Sequence, residues 1–340
     1  MYYIRPIAKD DLDILCHIAR ESGPGFTSLP ANPELLESRI NLSLEAFSSN
    51  SNQTTNHSYL FVLVEQSSGQ VVGTCGIESA VGLNYPWYHY RLGTVVHASP
   101  QLQVYNQFQT LYLCNDYTGC SEVCTLFLLP EHRRHHNGAL LSKSRFLFMA
   151  AEPARFSARV IAEMRGFSDD AGRSPFWDGL GQKFFSIDFS QADYLTGSGN
   201  KAFIAELMPK YTIYQHLLPE SAQETIGRVH PATEPARAML ESEGFRFENY
   251  VDIFDAGPTL TAPLKKIRSI RQSRCARVSI TDTGHSNLHA EYLLSNERIA
   301  EFRCTFAPAR LRTGRVEISP VVAAMLNVSD QDLIRIVELK

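Results

Sequence analysis

Between Leu126 and Lys143 the chain reads LFLLPEHRRHHNGALLSK: an apolar run, a proline, a knot of basic residues, then Gly138 and a helical pattern. No other stretch constrains the fold as tightly. Pro130 has no amide to give to a ladder, so a strand must stop there, and the apolar spacing after Gly138 is that of a helix. A strand that turns directly into a helix belongs in an α/β or α+β sheet rather than in a helical bundle or an all-β sandwich. The knot itself admits three readings. His132 and His136 stand four apart and would share a helical face, as metal ligands can. However, Pro130 and Gly138 bracket them, and neither a cysteine nor a carboxylate partner stands at ligand spacing nearby. A solvated basic turn is the second reading. The third explains most: a turn opening a helix presents unbonded amides and the positive end of the helix dipole, which together hold a pyrophosphate. Arg133, Arg134 and Lys143 would add charge around it. No metal is expected.

Strand and helix patterns alternate along the rest of the chain. A short strand at IRPI leads to Asp10 or Asp11 as an N-cap, with Leu12, Leu15, Ile18 and Ala19 at helical spacing. A second helix is expected over 33–47 and a polar loop over 48–58. Residues 59–82 read as a hairpin and 122–130 as a strand, followed by a strong helix over 138–152. ARVIAEMRG, KAFIAELMP and RFENYVDIF read as further strands. Six basic residues between Lys265 and Arg277 lack aromatic interleaving in a chain of net charge −4, so they form a solvated face and bind no nucleic acid. After them come short strands around one helix, Pro320–Leu326, read as a small β-barrel-like domain for packing or assembly.

With 340 residues, 44% of them apolar and 20% charged, the composition is globular and soluble. The N-terminus lacks the pattern of a secretion signal, and no apolar run reaches the roughly 18 residues that a span needs, so no membrane is expected. Seven cysteines stand singly, without a CxxC pair, as in a reduced cytoplasmic protein.

The residues of the knot resemble the acyl-CoA signature of the GCN5-related N-acyltransferase superfamily, in which a strand and a proline precede Arg/Gln-x-x-Gly-x-Gly/Ala. Arg133, His136 and Gly138 fall on its defining positions, and His136 departs from the first glycine. PARAMLESEGFRF (235–247) resembles the segment that follows the cofactor site in that superfamily, and SPFWDGLGQKFF (174–185) looks like a second version with Trp177 in the tyrosine slot. Two such endings imply tandem acyl-CoA N-acyltransferase folds in an α+β (α/β-like) protein, each a mixed central sheet flanked by helices. Residues 1–190 would be the first, with the CoA cradle, and 191–260 an abbreviated second that binds no CoA. Residues 261–340 would be the small β-rich domain.

Longer blocks resemble the arginine N-succinyltransferases: 25–32, 80–99, 118–151, 162–166, 174–193, 201–214, 226–231 and 247–260. The likeness thins after about residue 272. It implies transfer of the succinyl group of succinyl-CoA, a cosubstrate and not a tightly bound cofactor, to the α-amine of L-arginine in arginine catabolism. Ornithine or another basic amine is the alternative acceptor, and a non-catalytic homologous or arginine-binding subunit the alternative role. An oligomer, of this chain or with a homologous subunit, is also implied. The family's proton-donating histidine lies in Val-His-Pro, which here is Val229-His230-Pro231. The chemistry suits it, since an attacking amine (reference pKa about 8) must shed a proton and a departing thiolate must gain one. Leu126, Arg133, Arg134, Asn137 and Gly138 are the expected CoA-binding positions, with Leu126 touching the thioester from the strand before the cradle. Arg91 and Arg165 are candidates for the succinyl carboxylate, and Glu163, Asp178, Trp177 and Trp87 for the guanidinium. A covalent route through Cys120, Ser121 or Cys124 has no flanking base to support it. Residues 25–32 read as a lid or entrance loop.

Overall fold

In the computed structural model, residues 1–23, 28–49, 54, 56–169, 171–197, 202–281 and 290–339 are described. The expected entrance loop and the polar stretch after residue 48 fall partly outside them. Fifteen strands among the described residues join in one sheet. From the first half come β1 (Tyr2–Pro6), β2 (Ser58–Glu65), β3 (Val71–Glu78), β4 (His89–Ser99), β5 (Val104–Cys114), β6 (Ser121–Leu128) and β7 (Arg159–Glu163). They are followed by β8 (Ile213–Tyr214), β9 (Arg246–Val251), β10 (Pro258–Pro263), β11 (Arg274–Ile280), β12 (Ala290–Asn296), β13 (Cys304–Arg312), β14 (Arg315–Ile318) and β15 (Leu333–Glu338). The helices are α1 (Leu12–Ser22), α2 (Pro33–Ser48), α3 (Asn137–Ala151), α4 (Gln182–Phe185), α5 (Phe189–Gly197), α6 (Ala202–Leu207), α7 (Glu220–Gln223), α8 (Glu234–Ser242), α9 (Arg268–Gln272) and α10 (Pro320–Leu326). None is long and apolar enough to cross a membrane.

The central strands run β1–β2–β3–β6–β7–β10–β9, and β4, β5 and β8 follow at the far edge. Strands β2 and β3 are buried almost end to end because both faces are covered, so they read as continuous apolar runs rather than alternating ones. α3 fills one face. Phe146, Leu147, Phe148 and Met149 are fully buried there, and Phe148 makes edge contacts with Phe47, Tyr59, Phe61 and Phe302. Each such ring stabilises the fold by about 1.5–3 kcal/mol through burial. Packed on the other face are α1 and α2, with Leu15, Ile18, Leu36 and Ile40 against Leu60, Val62 and Val64.

Both stretches expected as separate copies supply strands to this one sheet. β10 pairs with β7 from Thr259↔Glu163 to Pro263↔Arg159, so strands from beyond residue 190 extend the sheet that β1 to β7 build. The two Gly-Phe segments also differ in structure. Gly244, at φ +100, ends α8 and turns the chain into β9, whereas Gly181 lies within a helix against the Trp177 ring. Within KAFIAELMP, expected as a strand, Ala202–Leu207 form α6, because Ile204 and Met208 are buried at helical i, i+4 spacing and Pro209 ends the run. The strongly paired hairpin β4–β5 had not been drawn from the sequence.

Strands β11, β14, β13, β12 and β15 close into a five-stranded barrel, as β12 pairs with both β13 and β15. α10 packs against it, capped by the Ser319 hydroxyl accepting the Val322 amide. The barrel joins the main sheet through β1 and β13, and Phe302 enters the main core. Of the basic run before it, Lys265, Lys266, Arg271, Arg274 and Arg277 are exposed, but Arg268 pairs with buried Glu243 at 3.2 Å.

Candidate active site

Strands β6 and β7 run parallel but pair only at Ser121↔Val160 and Glu122↔Ile161. Beyond Glu122 they part, and the β6 backbone on that side has no ladder partner. On its other side, β6 carries a bulge against β3. Thr74 faces Phe127 and Gly76 faces Cys124, so Thr125 and Leu126 together oppose Cys75. Thr125 takes φ 53, costly for a β-branched residue, and the bulge is held in place. Arg145, buried in α3, donates to the Cys124 carbonyl at 3.1 Å and to the Ser142 carbonyl at 3.1 Å. Gly73 makes room, since a Cβ there would sit 2.8 Å from the Phe127 carbonyl oxygen. Leu126 lies half-buried beside the main core at the place where the strands separate.

The knot forms a 3-10 turn, Pro130–His132, and then a tight loop into α3. His135 and His136 both adopt the left-handed region, at φ 50 and φ 61. The conformation that suits a glycine is thus kept although a histidine occupies the position, at a cost of about 1–2 kcal/mol. The amides of Asn137 and Leu140 bond back to the loop, to Arg134 and His136. Those of Gly138 and Ala139 in the first turn of α3 show no partner among the described residues. Arg133 donates through Nε to the Leu128 carbonyl at 3.0 Å and stacks near Phe127, and the buried Asn137 amide donates to the His132 carbonyl at 3.0 Å. Asn137 therefore braces the turn from inside and Arg133 braces it from the surface, where Arg134 is exposed as well. Gly138 faces open space, the nearest atom to an added Cβ being Met239 Cε of α8 at 3.9 Å. Lys143 does not reach this turn: it is buried and paired with Glu243 at 3.2 Å. His132 bonds to the Tyr2 hydroxyl through Nδ1 at 3.1 Å. Among the described residues, no three His, Cys, Asp or Glu side chains are grouped to hold a metal.

His230 stands against the residues that follow β7. Its amide donates to the Arg165 carbonyl at 2.9 Å, and Gly166 and Val229 form an isolated antiparallel bridge. Val229 shares the main core with Met164, Leu128 and Leu240. The His230 Nδ1 accepts the Ala232 amide at 3.2 Å, so a neutral imidazole carries its proton on Nε2. His230 is itself the cap of the short Pro231–Thr233 turn that enters α8.

By strand alternation, Glu163 faces away from α3, on the side of Ile161. Trp87 donates from Nε1 to its Oε1 at 2.9 Å, and His89 Nε2 lies 2.8 Å from the same oxygen. Arg165 has a buried Nε without a partner among the described residues and donates from Nη2 to the Ser168 hydroxyl at 3.2 Å. Arg91 is exposed over the Tyr250 ring. Asp178 is exposed, and Trp177 is fully buried in the core around α5 and α6, with its N–H on the Ile187 carbonyl; it cannot wall a ligand site. Ser121 is bonded to the Ser79 carbonyl and the Ser157 amide. Burial pushes the Cys120 thiol up, and burial with Glu122 and Glu78 pushes Cys124 well up, so neither is poised as a thiolate. Sequence reasoning missed the bulge and an acidic pair, half-buried Asp252 and buried Asp255, in the turn between β9 and β10. Closely spaced glycines at 73 and 76 were the available sign of the first, and the DIFDAG turn of the second.

The model of the arginine N-succinyltransferase beta subunit matches residues 2–269, and that of its C-terminal domain matches residues 274–338. The chain is 49% identical over 339 residues to arginine N-succinyltransferase of Escherichia coli O139:H28, covering 100% of this chain and 98% of that protein. The protein of the same name from Shigella flexneri matches with the same identity and coverage. Among solved structures, arginine/ornithine succinyltransferase subunit AI from Pseudomonas aeruginosa superposes with a TM-score of 0.91 at 36% identity, over 99% of this chain and 98% of that one.

Proposed function

This chain belongs to the arginine N-succinyltransferase family, and on that premise we propose where and how it moves succinyl from succinyl-CoA to the α-amine of L-arginine. One observation carries the reading: at the open end of the gap where β6 leaves β7, the phosphate-suited turn follows β6 and His230 is tied to Arg165 just after β7. The pyrophosphate of CoA lies on the amides of Gly138 and Ala139, helped by the dipole of α3 and by Arg134. The pantetheine arm replaces the missing strand along β6. The thioester carbonyl then reaches the backbone at Leu126, whose amide stabilises the oxyanion as it forms.

The amine attacks the thioester carbon directly, the carbon–sulfur bond breaks, and the CoA thiolate takes a proton from His230 Nε2. The proton that the amine sheds reaches His230 by way of solvent before that transfer, so the donor is the imidazolium, the ring returns to neutral, and the step balances as amide plus free thiol. Glu163, oriented by Trp87, faces the arginine guanidinium, and Arg165 faces the succinyl carboxylate. The active site draws on both 1–190 and 191–260, while the barrel in 261–340 supports them. We take the working form to be an assembly with a second copy or a homologous subunit. A thiol-release assay comparing arginine with ornithine, and succinyl-CoA with acetyl-CoA, tests the reading. Arginine with succinyl-CoA gives the highest kcat/KM, and preference for another pair would contradict it.

A further inference from the structure

The loop that carries His230 is held by a buried carboxylate. Asp255 is 7% exposed. Its Oδ2 accepts the Gly166 amide at 2.7 Å, and its Oδ1 accepts the Gly257 amide at 2.8 Å. Gly166 is the residue bridged to Val229, and the carbonyl just before it, that of Arg165, accepts the His230 amide. The contact is too close for any side chain. A Cβ on Gly166 would stand 2.4 Å from the Asp255 carbonyl oxygen, and one on Gly257 would stand 2.0 Å from that of Met164. Neither glycine has a positive φ, so both are required by proximity alone.

Asp252 completes the turn, with Oδ1 accepting the Phe254 amide at 2.6 Å and the Asp255 amide at 2.9 Å. Burial and the neighbouring charges of Asp255 and Glu163 push Asp252 well above the usual carboxylate range. Burial pushes Asp255 up to about 6, against the pull of the two glycine amides, and it is largely ionised at neutral pH. An ionised acid buried beside a second acid is a costly way to close a turn. What it supplies is two acceptor oxygens for two converging amides. An asparagine would set its own N–H against one of them.

We propose that Asp255 is a positioning residue for succinyl transfer: by fixing the Arg165–Gly166 end of β7, it sets where His230 stands over the parted strands. The proposal rests on His230 being the acid, and its test separates the two claims. Steady-state kinetics would be measured for Asp255→Asn, His230→Ala, the double variant and Asp252→Asn. Asp255→Asn is expected to lower kcat about 10- to 100-fold, the cost of a small misplacement, with the succinyl-CoA KM within about threefold. In the His230→Ala background the same change is expected to cost less than about twofold, because it acts only through the imidazole. Asp252→Asn, whose amide can donate as the protonated acid does, should stay within about threefold of the native enzyme.

Equal losses from Asp255→Asn in both backgrounds, or a near-native Asp255→Asn, would overturn the positioning role alone. A near-native His230→Ala would overturn the acid assignment and the positioning role with it. If Asp255→Asn does not fold, hydrogen exchange on the native enzyme decides. The Gly166 and His230 amides should be protected together by at least about 100-fold, and a His230 amide exchanging like an open loop would overturn the proposal.

Discussion

The Arg165 carbonyl accepts the His230 amide at 2.9 Å, tying the end of β7 to the loop that enters α8. That bond places an imidazole with a defined tautomer beside the gap left by β6. His230→Ala should therefore cut kcat by about 10²–10⁴ while leaving the succinyl-CoA KM nearly unchanged. Kinetics at saturating arginine check it, and activity within a few-fold of native would remove His230 from the mechanism.

His136 holds φ 61 in the turn before α3, where its ring lies edge-on to Phe306. Replacing it by glycine should raise stability by about 0.5–1 kcal/mol, since the strain of the left-handed conformation exceeds the added unfolded-state entropy. The urea midpoint should rise and the succinyl-CoA KM should not. A lower midpoint would show that the side chain contributes more than its backbone costs.

Glu163 is held by Trp87 and His89 on the side of β7 away from α3. As the guanidinium partner it predicts that Glu163→Gln raises the arginine KM about 10- to 100-fold, the loss of one charge-assisted pair, with the succinyl-CoA KM unchanged. Isothermal titration of arginine into the CoA complex checks the same number. An unchanged arginine affinity would assign the guanidinium elsewhere.

The Asp252–Asp255 pair makes stability depend on pH. An unfolded aspartate titrates near about 3.9, while Asp255 is pushed up to about 6 and Asp252 higher still by burial. Groups whose folded pKa is raised favour the protonated fold. Their contribution is complete below about pH 4 and is lost as the pH rises through about 6 and beyond. Asp252→Asn cannot ionise, so its urea midpoint should gain on the native one between pH 5 and pH 9. A native protein that gains on the variant as pH rises would contradict this.

Much of the turn before α3 could be read in advance because it is local: proline, turn, glycine and helix follow one another in the chain. His230 was marked by the short Val-His-Pro motif, whereas the cap it forms on Pro231–Thr233 was not. What escaped reading depends on partners distant in sequence. Lys143 looks like a cation beside the phosphate turn until α8 brings Glu243 against it. Trp177 looks like a ligand wall until α5 and α6 bury it. The Thr125 bulge exists only relative to β3, and Asp255 matters only because Gly166 lies against it. The apolar residues of KAFIAELMP fit either period in so short a run, and packing decided for the helix.

The central claim is that one gap, between β6 and β7, holds the thioester with His230 above it. A crystal structure with CoA and arginine bound tests it most directly. The account predicts the pyrophosphate on the amides of Gly138 and Ala139, the CoA sulfur beside Leu126, and His230 Nε2 within hydrogen-bond reach of it, about 3 Å. Phosphates bound away from the start of α3, or a sulfur out of reach of His230, would contradict it.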